Sequence, residues 1–330
     1  TLMDKVSKGS FAEYLAATVK KRGNGGDGGR RKQRERDRQA ANDAAQPLDP
    51  ETLRQRRIEL LGDDPVPEPP FWGPSVLARV PAPQVVPYLN ERMLYQFQWG
   101  YRKQGRKLDE YMSWAKTELR PILRRLLDVC VQQDILVPQA VYGYWKAAGA
   151  GNDLVLFAPD GTSEVARFTL PRQPRGERQC IADFVHDIAE GPAARSVVAL
   201  QVVTVGQRAS DTAREWFAND RYQDYLYLHG LGVEMAEAMA EYVHKRIRAE
   251  LGYAEEDAKD IEALLHQKYR GSRYSFGYPA CPNLTDQKPL LELLDAKRIG
   301  ITLSEEDQLH PEQSTSALVV FNKHAKYFNI

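Results

Sequence analysis

The 330-residue sequence predicts an α+β protein: a mixed, mainly antiparallel twisted sheet with packed helices, preceded by an N-terminal helix and a flexible linker. Three observations carry that expectation. Runs rich in β-branched and aromatic residues are interleaved with segments of helical apolar spacing. Asp160-Gly161 lies between two apolar runs and signals a hairpin, because both residues tolerate the positive backbone angles of a type I′ turn. No Gly-x-Gly-x-x-Gly opens a helix after a strand, which disfavours a doubly wound nucleotide-binding sheet.

In chain order, residues 3 to 21 read as an amphipathic helix carrying Met3, Val6, Phe11, Leu15 and Val19 and closing on Lys20, Lys21 and Arg22. Residues 1–22 are expected to be the terminal helix of a preceding module, the more so because the first residue is Thr1, as in a fragment. Residues 23–64 are expected to be a flexible charged linker, since Gly23 to Gly29 is Gly, Asn and Asp, and Arg30 to Gln46 is charged residues, Gln, Asn and Ala. The basic tract from Arg30 to Arg38 is interrupted by Glu35 and Asp37 and has no aromatic residue for stacking, which weighs against nucleic-acid binding. Pro65, Pro67, Pro69 and Pro70 then stiffen the chain before Phe71-Trp72-Gly73, so the folded domain is expected over 65–330.

Within that domain the spacing predicts helices at Val86 to Arg102, Leu108 to Gln133, Ala209 to Ala218, Tyr222 to Leu251, Ala258 to Tyr269 and Lys288 to Leu294. Strands are predicted at Ala140 to Ala147, Leu154 to Phe157, Val165 to Leu170, Cys180 to Val185, Val197 to Val205, Gly300 to Leu303 and Ala317 to Asn322.

A hydrophobic content of 42% with 27% charged residues is enough to bury a sizeable core. Forty-five basic residues balance forty-five acidic ones, so partners must be recognised locally and not through a long-range field. Cys130, Cys180 and Cys281 lack the paired spacing of disulfide frameworks or zinc ribbons, and a reducing cytoplasm is the simpler expectation. No apolar run approaches the roughly 20 residues of a membrane span, and no signal-peptide core is present at the N-terminus.

The segment Arg270 to Pro282 combines cations, turn-forming glycines, three aromatics and two prolines, and is poorly suited to helix or strand. Gly277, Pro279 and Pro282 can hold Arg273 and exposed peptide groups in one arrangement, which suits a small ligand bearing a carboxylate. The same composition fits a rigid surface turn whose arginine pairs with an acidic neighbour. Glu237, Glu241 and His244 share one helix face, either as part of a site or as a solvated surface. Cys281 has no histidine at a spacing that identifies a nucleophilic pair, and His229 reads as a hydrogen-bonded structural histidine.

The run Arg273-x-x-x-Gly277-Tyr278-Pro279-Ala280-Cys281-Pro282 resembles the signature of the AdoMet-binding activation (reactivation) domain of cobalamin-dependent methionine synthases. Pro70-Phe71-Trp72-Gly73, Tyr142-Gly143-Tyr144, Cys180 to Phe184, Val203 to Gly206, Asp224 to Gly230 and Leu309 to Thr315 follow the family's order. The resemblance covers about residues 65 to 330 and implies a shallow groove for S-adenosylmethionine. Arg273 would grip the methionine carboxylate, Tyr327 and Phe328 would supply aromatic faces, Tyr278 would be a wall of the groove, and Ser275 would be a further binding residue. A family aspartate aligns with Asn90, so its charge is absent here, and Glu237 matches a position facing the ligand and cofactor side.

The resemblance further implies that cobalamin is bound mainly by a module absent from this chain, and that zinc belongs to another absent module. The partners would be the cobalamin-binding domain of the same enzyme and a flavodoxin-like or other reductase. The function implied is reductive methylation of cob(II)alamin to methylcobalamin, in support of methionine synthesis that this segment alone does not catalyse. Two alternatives stand beside it: a self-standing methyltransferase acting on a small acceptor, and a scaffold whose AdoMet site has decayed.

Overall fold

A computed structural model describes residues 48–330; the expected helix over 1–22 and the tract from Gly23 to Gln46 lie outside the described residues. The described chain comprises a large unit, residues 48–171 and 179–329, and a short one, Arg172–Arg178 with Ile330, in which the Arg172 guanidinium donates to the Arg178 carbonyl at 2.7 Å. All that follows concerns the large unit.

Its seven-stranded sheet is built from β1 (Gly73–Leu77), β2 (Gln139–Ala150), β3 (Asp153–Phe157), β4 (Glu164–Thr169), β5 (Ser196–Thr204), β6 (Ser272–Ser275) and β9 (Ser314–Val320). The order is β4-β3-β2-β5-β9-β6, with β1 also on β2, and every strand pair is antiparallel. β2 is long enough to share one edge between β1, opposite Ala140 to Tyr144, and β3, opposite Lys146 to Ala150, while its other edge takes β5. β5 is buried at every position and reads as a continuous apolar run because helices cover both of its faces. A small hairpin, β7 (Thr302–Leu303) with β8 (Leu309–His310), completes the strands. The observed class is α+β, as the interleaved signals predict.

The longer helices are α1 (Pro50–Leu61), α2 (Leu108–Glu118), α3 (Arg120–Gln132), α4 (Gln207–Ala218), α5 (Tyr222–Glu250) and α6 (Gln287–Leu294). The 29-residue α5 lies across the sheet face that carries Tyr142, Ala199 and Val319, and α6 packs on the opposite face. Small residues let α5 come close. A Cβ on Gly230 would stand 2.7 Å from the Gln98 Cβ, so glycine is what admits the turn bearing Gln98 and Trp99 against the helix.

Several expected elements are interrupted, each for a local reason. The helix expected over Val86 to Arg102 becomes a 3-10 turn Val86–Tyr88, an α-turn Glu91–Met93 capped by Asn90, and a π-helical turn Leu94–Gln98. Pro87 removes a donor there, and a π turn inserts a residue. The long helix over Leu108 to Gln133 breaks at Leu119, where Pro121 cannot donate to the preceding turn. Of the helix expected over Ala258 to Tyr269, only Ile261–Leu265 forms, capped by Asp260. Cys180 to Val185 is not a strand: the Asp183 carboxylate accepts the Cys180 N–H at 3.2 Å and draws Ile181–Phe184 into a 3-10 turn. Asp160-Gly161 does lie between paired strands, but not as a two-residue turn. The connection closes from Ala158 to Ser163, with the Asp160 carboxylate accepting the Thr162 and Ser163 N–H groups.

The flexible linker expected up to Asp64 is corrected over its last part. α1 starts at Pro50 with Asp49 accepting the Thr52 N–H at 3.0 Å. Its apolar face is slight, Leu53 and Leu61, and polar anchors hold it: Arg56 pairs with the buried Asp183 at 3.1 Å, Asn322 donates to the Leu60 carbonyl at 2.8 Å, and Arg57 is the most deeply buried of them. That guanidinium is buried, donates to the carbonyls of Ala182 (3.2 Å) and Gly151 (2.7 Å), and pairs with Asp187. Asp64 in turn pairs with Arg270 at 2.9 Å. Hydrophobic periodicity carries no signal for a helix anchored by polar contacts of this kind. Arg57→Met strands the Asp187 carboxylate and two carbonyls, so it is expected to lower the unfolding free energy by about 3 kcal/mol in urea titration. A change within about 0.5 kcal/mol would mean α1 is not part of the cooperative unit.

Candidate functional site

The site is built where β6 meets α5. Gly271, with φ +78°, turns the chain into β6, and a Cβ there would meet the Val320 carbonyl oxygen at 2.3 Å. β6 then pairs with β9, Arg273 opposite Val319 and Tyr274 opposite Leu318. Strand alternation places Arg273 and Ser275 on the α5 face, with Ser272 and Tyr274 on the other. The sequence expectation of a non-strand loop is corrected at this point, because four residues of the signature form an edge strand.

The Arg273 side chain is 16% exposed and donates from Nη2 to the Glu237 carboxylate at 3.2 Å. Its Nη1 is buried and makes no hydrogen bond among the described residues. Burial opposes the guanidinium charge, while Glu237, then Glu241 and Tyr269, favour it, and the net displacement is upward. The pairing foreseen for a plain surface turn is thus present, yet it uses one arm of the fork only.

Beneath this pair, Glu241 and His244 are buried and do not form a solvated face. Arg248 donates to Asp257 at 2.6 and 2.9 Å and to Glu241 at 3.4 Å, with its guanidinium 4.0 Å from the Tyr269 ring centroid. Burial pushes the Glu241 carboxyl up against the pull of Arg273 and Arg248. Burial first, then Arg248, Arg273 and Lys326, hold His244 well below the usual histidine range, so the ring is neutral.

After β6 the chain folds back tightly. The Gly277 N–H donates to the Cys281 carbonyl at 2.9 Å, the Cys281 N–H to the Tyr278 carbonyl at 3.0 Å, and the Cys281 thiol to the Ser275 carbonyl at 3.0 Å. Tyr278 is 55% exposed, and its hydroxyl feels the charges of Glu237, Arg273 and Glu234. Cys281 is buried and its thiol is displaced upward by burial, as is that of Cys130, pushed up to about 12. All three cysteines are buried, which opposes nucleophilic chemistry. His229 meets Gln313 at 3.4 Å and stacks on Tyr225, a structural environment. No group of three His, Cys, Asp or Glu with metal-site geometry occurs among the described residues.

The predicted site residues separate into groups. Arg273, Ser275, Glu237 and Tyr278 converge on one side of β6. Tyr327 lies on the terminal segment that Tyr274 fastens to β6 through a 2.9 Å hydrogen bond to the Lys326 carbonyl. Phe328 packs edge-on against Tyr274, 5.9 Å between centroids, and so belongs to the opposite face from Arg273. Asn90 spends its amide oxygen capping Met93 at 3.1 Å and lines a groove with Arg92, Arg120 and Ile261, a lining that excludes Arg273, Glu237 and Tyr278.

One neighbour of the site went unread in the sequence. Glu234, 6% exposed, accepts from Gln98 at 3.1 Å. Burial pushes its carboxyl up to about 7, against the Gln98 hydrogen bond and with a further push from Glu237. Its position three residues before Glu237 on one helix was a usable signal; its contact with the turn at Gln98 was not.

These features define an α+β module in which a partly satisfied arginine on an edge strand lies against acidic residues of a long helix, with a half-exposed tyrosine beside them. A family model described as vitamin B12 dependent methionine synthase, activation domain, matches residues 84–330, and the chain belongs to that family. It is 44% identical over 287 residues to a methionine synthase of Mycobacterium tuberculosis (strain ATCC 25618 / H37Rv), covering 83% of this chain and 24% of that protein. A methionine synthase of Mycobacterium leprae (strain TN) is 42% identical over 287 residues, with the same coverage of 83% and 24%. The chain therefore spans about a quarter of the length of these curated relatives. The crystal structure of a MetH reactivation domain bound to AdoHcy has the same fold, with TM-score 0.72, 22% identity, 86% of this chain and 89% of that chain covered. Among the described residues no helix is long and apolar enough to cross a membrane.

Glu234 supplies a test of this electrostatic picture. Its folded pKa of about 7 lies above the ordinary 4.5, so it penalises folding increasingly as pH rises from about 4.5 to about 7. Glu234→Gln is expected to be more stable than the native chain at neutral pH by about 2 kcal/mol, with the difference closing toward pH 4.5. Urea titrations of both proteins across that window measure it, and parallel curves would rule the assignment out.

Proposed function

We propose that this chain binds S-adenosylmethionine in the groove between β6, the turn after it and α5, and serves as the reactivation module of a cobalamin-dependent methionine synthase. The observation that carries the reading is Arg273: a guanidinium held in a fixed pose, paired on one arm with Glu237, and left with a buried Nη1 that makes no hydrogen bond. A carboxylate is the ligand group that satisfies such a donor. Family membership and the fold shared with a reactivation domain that holds AdoHcy support the same ligand class.

In this reading Arg273 orients the methionine carboxylate, Tyr278 offers a ring face to the sulfonium, and Ser275 and Tyr327 bound the groove. Glu237 keeps Arg273 in place and adds negative potential beside the sulfonium. Cobalamin, which another module would hold, would supply the metal centre that takes the methyl group of AdoMet, with one electron from a separate reductase and AdoHcy as the leaving product. This chain's own side chains bind, orient and exclude water, and none moves a proton or forms a bond. The partners are accordingly the cobalamin-binding domain of the same enzyme and a flavodoxin-like or other electron donor. Phe328, packed under Tyr274, supports the wall from behind, and Asn90 acts on the shape of the neighbouring turn.

Arg273→Ala is expected to weaken AdoMet binding about ten- to a hundredfold, about 1.5 to 3 kcal/mol, in calorimetric titration of the chain. Unchanged affinity removes Arg273 from the ligand. Methyl transfer to a small acceptor without corrinoid would favour a self-standing methyltransferase, and absence of binding by the native chain would favour a scaffold.

A further inference from the structure

We propose that Glu234 is a specificity-determining residue of this site, a second carboxylate that makes the groove prefer a sulfonium ligand over its neutral thioether counterpart. The inference rests on the AdoMet reading above and adds to it a residue that neither the signature nor the sequence spacing singled out.

Glu234 and Glu237 lie three residues apart on one face of α5, Glu237 is paired with Arg273 at 3.2 Å, and both carboxyls act on the Tyr278 hydroxyl, which puts Glu234 beside the proposed ligand position. Their situations differ. Glu237 is half exposed and engaged by Arg273 at 3.2 Å. Glu234 is buried, and its hydrogen-bond donor is the uncharged amide of Gln98, 3.1 Å away. A buried carboxyl without a cationic partner is costly to ionise, and its nearest charged neighbour, Glu237, is of like sign. The charged group acting on it is Glu237 on its own helix, the titratable group across from it is Tyr278 from the turn after β6, on which Arg273 acts as well, and the turn Leu94–Gln98 contributes Gln98, which carries no charge. Arg273 donates to Glu237 at 3.2 Å and makes no hydrogen bond or ion pair with Glu234 among the described residues.

A cation arriving beside Tyr278 therefore meets one carboxylate already committed and a second that is not. Binding a sulfonium favours the ionised form of Glu234, and a thioether of the same shape does not. The coupling runs both ways: the groove binds the sulfonium better as Glu234 loses its proton, and the product of methyl donation, which is neutral at sulfur, loses that attraction and is released. Gln98 sets the balance, because its amide donates to the ionised carboxylate and stabilises it. Gly230 sets the position of Gln98, since any larger residue displaces that turn.

The test is calorimetric titration of the whole chain with S-adenosylmethionine and with S-adenosylhomocysteine from about pH 6 to about pH 8. The native chain is expected to gain up to about tenfold in affinity for the sulfonium across that range and to bind the thioether with a flat profile. In Glu234→Gln the sulfonium profile becomes flat and its affinity at the upper pH falls about tenfold, with thioether affinity retained. Gln98→Leu, which keeps the carboxyl and removes its donor, moves the midpoint of the native profile upward and carries the test if Glu234→Gln does not fold. Equal loss of both ligands in Glu234→Gln, unchanged sulfonium affinity, or an unmoved midpoint in Gln98→Leu overturns the proposal. Failure of the native chain to bind either ligand overturns the AdoMet reading together with it, whereas native binding without these differences overturns the role of Glu234 alone.

Discussion

Arg273 keeps its charge where little water reaches it, and the acidic face of α5 is what makes that possible. A buried guanidinium is tolerated only when its charge is balanced and most of its donors are used. Here the balance comes from a helix and the guanidinium from an edge strand, so the ion pair between Arg273 and Glu237 also fixes the distance between two layers of the fold. The layers beneath are arranged around the same need. Arg248 is bound by Asp257 and Glu241 under the pair, and His244 sits beside them as a neutral ring, first because it is fully buried and then because Arg248, Arg273 and Lys326 oppose a further positive charge.

The sheet supplies the rigidity that this arrangement requires. β2 and β5 pair along most of their lengths and are buried on both faces, so β9, and β6 at its edge, are laid on an immobile template. α5 is set against that template by small residues, and the turn carrying Gln98 is set against α5 in the same way at Gly230. The surroundings of Arg273 are thus set by close backbone approaches, which leave few alternative positions for the side chains there.

The α+β class, the main strands and the long helix α5 were legible because they rest on apolar periodicity, which a single sequence displays directly. What was not legible rests on polar groups acting at a distance. α1 is held by Arg57 reaching carbonyls and a carboxylate about a hundred residues away in sequence, and reads locally as a charged linker. β6 was hidden because a strand of four residues, starting after a glycine and containing an arginine, has no alternation long enough to count. Within the site, the signature pointed to Arg273, Ser275 and Tyr278, which lie together. It also paired Tyr327 with Phe328 without regard to the parity of the neighbouring strand, which puts the Phe328 ring on the Tyr274 side. Glu234 escaped notice because its importance comes from burial, and burial of a single acid within a long helix is a tertiary fact.

The three buried thiols bear on the circumstances in which such a module has to work. Sulfur that is hidden from solvent and kept protonated reacts slowly with peroxides and electrophiles. The Cys281 thiol ties the turn after β6 to the Ser275 carbonyl, so its oxidation would distort the groove two residues from Arg273. By sequestering that sulfur, the fold keeps the turn beside Arg273 out of reach of oxidants, so the geometry of this corner does not depend on the redox state of its surroundings.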